Sequence, residues 1–265
     1  MKKYLVVGNP INHSLSPQLH NYWIKKNNIE AKYEKKKIEN TEFQTLINKI
    51  KGKEINGINV TVPFKKEIIS FVEKLSPEAK STQSVNTIYL DNDTVIGHNT
   101  DINGFKLAIE DTKYDVENKN IFILGAGGVV PSIIYALYKM KVSSVTLSNR
   151  TKRNAENLKD LFKNLKIINW GELPDFDMII NATSLGLNKD DKINLDFSKS
   201  KKKDKFFFDV IYNPVETNFL KTGKKLGNIT ENGKKMFIYQ AAEAFKIWHG
   251  IQPEINQDTY ELINQ

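Results

Sequence analysis

The chain has 265 residues, a formal net charge of +8, and 40% hydrophobic and 10% aromatic residues, which suits one large or two ordinary domains and excludes a chain disordered throughout. There is no cysteine, which removes disulfides, thiolate metal sites and a cysteine nucleophile. The four histidines, His13, His20, His98 and His249, have no metal-ligand spacing.

Of the 39 basic residues, 37 are lysines. Runs such as Lys35–Lys37 and Lys201–Lys203 read as solvated surface, because a nucleic-acid face would interleave basic and aromatic residues. The apolar run Tyr4–Val7 stops at Gly8-Asn9-Pro10, short of the roughly 7–15 residues of a signal-peptide core. The uncharged stretch Ile121–Tyr138 is interrupted by Gly125, Gly127, Gly128 and Pro131, so it reads as strand, turn and helix rather than as a membrane span. A cytoplasmic protein without nucleic-acid or membrane partners is expected.

Tyr4–Val7 predicts a first strand. Ser16-Pro17 predicts a helix start with serine as N-cap and proline at the first helical position. Ala31–Ile38 reads as a lysine-rich edge strand, and Thr41–Ile50 as a helix with Phe43, Leu46, Ile47 and Ile50 on one face. Ile58–Val62 is a strand stopped by Pro63, and Thr87–Leu90 and Thr94–Ile96 flank the hairpin signal Asp91-Asn92-Asp93.

Beyond residue 119 the alternation becomes regular. Strands are expected at Asn120–Leu124, Val142–Leu147, near Ile167, at Met178–Asn181 and at Phe206–Val210; helices are expected at Val129–Lys141, Thr151–Phe162 and Val215–Gly223. Such alternation implies a parallel sheet wound with helices. A last helix, Lys235–His249, spaces Phe237, Ala241, Ala244, Phe245 and Trp248 as a core face. The fold class expected is therefore α/β in two domains, the second of Rossmann type.

Gly125-Ala126-Gly127-Gly128-Val129 lies between a strand and a helix. Glycine there permits a sharp turn and close approach of a pyrophosphate to a helix N-terminus. Val130 stands where the general fingerprint has its third glycine. The next strand ends in Ser148-Asn149-Arg150-Thr151-Lys152-Arg153-Asn154, without the acid that would bond an NAD ribose 2′-hydroxyl. The only two arginines of the chain stand here instead. A guanidinium can grip a 2′-phosphate bidentately and stack on adenine, so NADP is the expected cofactor.

Several polar motifs remain: Asn12-His13-Ser14-Leu15-Ser16-Pro17, Asn59-Val60-Thr61-Val62-Pro63-Phe64-Lys65, Val85-Asn86-Thr87 and Gly97-His98-Asn99-Thr100-Asp101. Each alone fits turn and capping chemistry. Together with Gly8-Asn9-Pro10-Ile11, Asn181-Ala182-Thr183-Ser184-Leu185-Gly186, Asp209-Val210-Ile211-Tyr212-Asn213-Pro214 and Gln240-Ala241-Ala242-Glu243-Ala244-Phe245, they resemble shikimate dehydrogenases in order and over nearly the whole chain.

The resemblance implies reversible, NADPH-dependent reduction of 3-dehydroshikimate to shikimate, a step of aromatic amino-acid biosynthesis. It implies Lys65 and Asp101 as the catalytic pair, with Lys66 as a solvated neighbour. Ser14, Ser16, Asn59, Thr61, Asn86, Tyr212 and Gln240 match substrate-binding positions, the two serines on the carboxylate. Gly125, Ala126, Gly127, Gly128, Val129, Asn149, Arg150, Thr151, Lys152, Arg153, Asn154, Val210 and Gly233 match cofactor-binding positions; no metal is implied. The family often has a basic residue where Asn154 stands, and Gln83-Ser84 replaces a common Gly-Ala. The implied domains are 1–102 plus 238–265 for substrate, with the tail returning to it and the active site between domains, and 103–237 for NADP. Broader use of quinate or NAD, a shikimate-binding regulator without turnover, and a homodimer stay open at this point.

Overall fold

The computed structural model describes residues 1–199 and 204–263, so the lysine run Lys201–Lys203 lies outside the described residues. The chain divides into two compact units, Met1–Gly104 with Ile238–Gln265, and Phe105–Phe237.

In the first unit the chain runs through β1 (Lys2–Gly8), α1 (Ser16–Lys26), β2 (Ala31–Lys37), α2 (Phe43–Lys51), β3 (Gly57–Val60), β4 (Lys74–Leu75), α3 (Pro77–Thr82), β5 (Thr87–Asp91) and β6 (Thr94–His98) to the start of α4 (Asp101–Thr112). The sheet order is β2-β1-β3-β5-β6-β4. Strands β1, β2 and β3 pair in parallel, whereas β5 runs antiparallel to β3 and β6. Strand β2 is an edge whose exposed lysines discourage pairing with another chain. The β5–β6 loop is Asn92-Asp93, both at positive φ (44° and 62°), the two-residue turn whose twist matches a hairpin. Helix α2 buries Phe43, Leu46, Ile47 and Ile50, each worth about 1.5–3 kcal/mol against exposure.

One local expectation is corrected. Helix α1 begins at Ser16, with Leu15 as N-cap and no side-chain cap. The Ser16 hydroxyl is instead paired with that of Ser14, at 3.2 Å, a local side-chain contact in place of the capping bond.

The second unit carries β7 (Asn120–Leu124), α5 (Val130–Lys139), β8 (Ser144–Ser148), α6 (Lys152–Glu156), β9 (Lys166–Ile168), β10 (Met178–Asn181), β11 (Phe206–Asp209), α7 (Asn218–Lys225) and β12 (Ile229–Glu231). All its strands pair in parallel in the order β12-β11-β10-β7-β8-β9. In chain order this reads 6-5-4-1-2-3, the doubly wound Rossmann arrangement, whose order reverses between β7 and β10. Strands β7, β10 and β11 are almost wholly buried, as strands covered on both faces must be. The expected helix Thr151–Phe162 is broken: α6 covers five residues and a 3-10 turn, Asn157–Asp160, follows, consistent with the low helix propensity of Asn154 and Asn157.

Helix α8 (Lys234–His249) and α9 (Gln257–Glu261) complete the chain. On α8, Ala241, Ala244 and Phe245 are buried as expected, whereas Phe237 and Trp248 are half-buried. Trp248 packs where a side chain on Gly57 would stand: a Cβ there would lie 2.3 Å from the indole nitrogen. Elements α3, α4, β12 and α9 had no place in the sequence reading; α3 did carry its signal, because the Ser76 hydroxyl accepts from Ala79 N–H at 3.2 Å.

Candidate active site

The turn Thr61–Phe64 closes β3 with a 3.0 Å bond from Phe64 N–H to the Thr61 carbonyl, and Val85 N–H donates to the Lys65 carbonyl at 2.8 Å. Lys65 is thereby fixed beside the first residue of α4. Its Nζ lies 2.5 Å from Asp101 Oδ2, and the two side chains are 10% and 7% exposed. Lys66 is exposed, so burial separates the adjacent lysines. Asp101 N–H donates to Asn99 Oδ1 at 3.0 Å, and the carboxylate stands in the first turn of α4, where the helix dipole favours negative charge.

Asn86 orients this carboxylate. Its Nδ2 donates to Asp101 Oδ1 and to Thr100 Oγ1, both at 2.9 Å, while its Oδ1 accepts from Thr100 N–H at 2.8 Å and Thr87 Oγ1 at 3.0 Å. Asn59 is similarly committed: Nδ2 donates to the Asn86 carbonyl and Thr87 Oγ1, both at 3.0 Å, and Oδ1 accepts from the Tyr33 hydroxyl at 2.7 Å. Both amide hydrogens of each asparagine are therefore used within the protein, and these side chains act on their surroundings chiefly as scaffold. Ser14 and Thr61 are half-buried and Ser16 is buried. Burial pushes the Tyr33 phenol well above its ordinary value. Tyr33, Thr87 and Thr100 were absent from the sequence-derived site. The two threonines sit inside motifs already singled out, but Tyr33 sits in a lysine-rich edge strand with nothing local to mark it.

In the second unit, Gly125, Ala126, Gly127, Asn149, Arg150, Thr151 and Asn154 line a cleft of about 300 Å³. Trp170 and Ala182–Leu185 complete its wall. Gly125 adopts φ +107°, and a Cβ there would come within 2.6 Å of the Ala182 carbonyl oxygen, so this turn admits only glycine. Gly127 leaves its backbone open, with the Ala182 oxygen 3.9 Å from a Cβ position as its one near neighbour. Such a cradle at the end of β7 fits a nucleotide pyrophosphate, and the exposed Arg150 belongs to the same lining. Gly128, Val129, Lys152 and Arg153 are outside this lining. Trp170 follows Asn169, whose carbonyl accepts from the buried Ser148 hydroxyl at 3.0 Å; no sequence motif pointed to it.

Asp209 ends β11 fully buried. It accepts from Asn181 Nδ2 at 3.1 Å, Ile211 N–H at 3.0 Å and the Thr217 hydroxyl at 2.6 Å. Burial is the main cause that raises its carboxyl to about 6 against these bonds. Asn181 Oδ1 in turn accepts from the Thr183 hydroxyl at 2.7 Å, which shapes the Ala182–Leu185 wall. Tyr212 is half-buried and stacked on Phe237, with centroids 4.5 Å apart. Gly233 lies against Val210, whose carbonyl oxygen would be 2.1 Å from a Cβ. Gln240 is half-buried on α8. Among the described residues no cluster of His, Cys, Asp and Glu could hold a metal ion, and no helix is long and apolar enough to cross a membrane.

Comparison with known proteins gives a consistent result. Residues 6–88 match the shikimate dehydrogenase substrate binding domain, residues 106–223 the shikimate / quinate 5-dehydrogenase family, and residues 235–257 the shikimate 5′-dehydrogenase C-terminal domain. A shikimate dehydrogenase (NADP⁺) of Pelagibacter ubique is 58% identical over 263 residues, covering 99% of each chain. A shikimate dehydrogenase solved in complex with NADP⁺ aligns with a TM-score of 0.91 at 34% identity, over 99% of this chain and 94% of that one. The Thermus thermophilus enzyme solved with NADP(H) and shikimate aligns at 0.89 and 27% identity, over 99% and 98%. With the fold, the glycine cradle and the buried lysine–aspartate pair in place, these matches establish that the chain belongs to the shikimate dehydrogenase family.

Proposed function

We propose that the protein catalyses the reversible, NADPH-dependent reduction of 3-dehydroshikimate to shikimate, and that Lys65 and Asp101 supply its acid–base chemistry. The observation that carries the reading is the Lys65–Asp101 pair, 2.5 Å apart and nearly buried, in a chain whose relatives are NADP-dependent shikimate dehydrogenases. When bound, NADPH supplies the hydride to the carbonyl carbon.

The chain's own residues then have defined tasks. Reduction puts negative charge on the carbonyl oxygen, and that oxygen must gain a proton. Lys65 has protons to hydrogen-bond it and pass one across. Asp101, held on both oxygens by Lys65 and Asn86, fixes the ammonium and balances its charge. Ser14 and Ser16 offer hydroxyls to the substrate carboxylate, with Thr61, Tyr212 and Gln240 for its remaining polar groups. A site built to bond particular hydroxyls leaves its own groups unpaired when one is missing, which gives sharp discrimination. The glycine turn at Gly125–Gly127 holds the cofactor pyrophosphate, and Arg150 its 2′-phosphate.

The test is a four-way spectrophotometric assay with shikimate or quinate and NADP⁺ or NAD⁺. Turnover mainly with shikimate and NADP⁺ is expected. Efficient turnover with quinate or NAD⁺ moves the protein to a broader specificity, and folded protein that binds shikimate without turnover in any combination refutes the enzyme. The reading includes a cytoplasmic location, and light scattering tests a homodimer.

A further inference from the structure

Asn181 closes β10 and Asp209 closes β11, and the parallel register sets the two residues side by side. Both are fully buried, and Thr217, the N-cap of α7, is 2% exposed beside them. Polar groups packed this way cost free energy unless each is bonded. Thr217 accepts from Leu220 N–H at 3.3 Å and donates its single proton to Asp209 Oδ2 at 2.6 Å. Asp209 Oδ1 accepts from Ile211 N–H at 3.0 Å and from Asn181 Nδ2 at 3.1 Å.

The other bonds of the Asn181 amide go to the loop that follows it. Nδ2 donates its second hydrogen to the Leu185 carbonyl at 3.0 Å. Oδ1 accepts from Thr183 N–H at 3.1 Å and from the Thr183 hydroxyl at 2.7 Å. The Thr183 oxygen in turn accepts from Leu185 N–H at 3.0 Å. The loop 182–185 is thus wound on the Asn181 amide, whose one side-chain partner outside the loop is Asp209. This loop is a wall of the nucleotide cleft, and its Ala182 oxygen is the atom that a Cβ on Gly125 would strike. Gly186, at φ +126°, closes it against Thr217, whose Cγ2 would lie 3.0 Å from a Cβ there.

We infer that Asp209 is a positioning residue of the cofactor site: through the Asn181 amide it holds the loop 182–185 beside the glycine turn, and so sets the affinity for the dinucleotide. Asp209 is itself fully buried and outside the cleft lining, so it acts only through Asn181. This rests on the functional reading above. Without the carboxyl, one Asn181 hydrogen and the Ile211 N–H are left unpaired, and the amide is free to turn away from Thr183 and Leu185. An asparagine in its place keeps an oxygen for those two donors and sets its amide nitrogen on the Thr217 oxygen.

The test compares wild type, Asp209→Ala, Asp209→Asn, Thr183→Val and the double variant Asp209→Ala with Thr183→Val. Calorimetry measures NADP⁺ and shikimate separately, each without the other. Asp209→Ala is expected to raise the NADP⁺ Kd about 5- to 50-fold, with shikimate Kd changed less than about threefold. Asp209→Asn is expected to bring the NADP⁺ Kd back to within about threefold of wild type, since it keeps the acceptor that Asn181 needs. Thr183→Val cuts the same tie at its half-buried end and should weaken NADP⁺ about 3- to 20-fold. In that background Asp209→Ala should cost less than about threefold more, because both act on one amide. If Asp209→Ala does not fold, Thr183→Val and Asp209→Asn carry the test. Unchanged NADP⁺ affinity in Asp209→Ala or Thr183→Val, equal losses for NADP⁺ and shikimate, no rescue by asparagine, or full additivity would each overturn the inference. Wild-type protein that fails to bind NADP⁺ would overturn the functional reading first, which keeps the two failures distinct.

Discussion

Asn86 donates to Asp101 Oδ1 at 2.9 Å while Lys65 lies on Oδ2 at 2.5 Å. The carboxylate is thus held on both oxygens and cannot rotate, and the ammonium is fixed in direction while keeping protons for a substrate. Lys65→Ala is expected to lower kcat by about 10²–10⁴-fold, the usual range for a general acid–base group, with a much smaller change in shikimate affinity. Lys66→Ala, at an exposed neighbour, should behave as wild type. Single-turnover hydride transfer checks both, with circular dichroism to confirm folding; near-normal turnover in Lys65→Ala would exclude it from the chemistry.

Arg150 is the one arginine lining the nucleotide cleft, and it is exposed there. An anion held by a guanidinium loses a charge-assisted pair on truncation, worth about 1.5–3 kcal/mol. Arg150→Ala should therefore weaken NADP⁺ by about 10- to 100-fold and NAD⁺ far less. Equal losses for the two, measured by calorimetry, would remove the 2′-phosphate role.

Asp209 gives a pH signature. Its folded carboxyl is raised from 3.8 to about 6, chiefly by burial. The folded state therefore binds the proton more tightly than the unfolded chain, and this group's contribution to stability falls as pH rises from 3.8 through 6. By the cost of one pKa unit the change is about 3 kcal/mol. Asp209→Asn cannot ionise, so between pH 4 and pH 7 its stability should gain on wild type by up to about 3 kcal/mol in urea unfolding. A constant difference between the two proteins across that range would refute it.

His20 gives the opposite sign. Both ring nitrogens are buried with no hydrogen-bond partner, and burial, aided by His249, lowers its pKa from 6.5 to about 3. The unfolded chain takes up the proton first, so stability is intact above 6.5 and is lost as pH falls below it. His249 is lowered to about 4 by burial and by Lys2 and adds to the same slope. Replacing His20 by phenylalanine should remove roughly 2–3 kcal/mol of the acid loss between pH 6.5 and pH 4.5. An unchanged slope in denaturant unfolding would show that His20 does not stay neutral.

Much of this molecule is legible in the sequence because its signals are local. The glycine turn, the strand runs of the second unit and the apolar face of α2 each state their conformation within a dozen residues. Lys65 and Asp101 were identifiable because the motifs that hold them resemble those of shikimate dehydrogenases. Sequence also set the composition of the site: no thiol, no histidine cluster, and both arginines beside the nucleotide turn.

Only tertiary structure decided which of these groups meet. Burial against Asp101, 36 positions away, sets Lys65 apart from the exposed Lys66. Ser16 looked like a helix cap from its neighbours, but its hydroxyl is paired with that of Ser14 instead. Asn59 and Asn86 looked like free ligands and are largely saturated by each other's strands. Tyr33 and Trp170 carried no local mark at all, since their surroundings are assembled from segments far apart in the chain. A residue's propensity is set by its neighbours in sequence, but its hydrogen-bond partners and its solvent are set by the fold, and the chemistry follows from those.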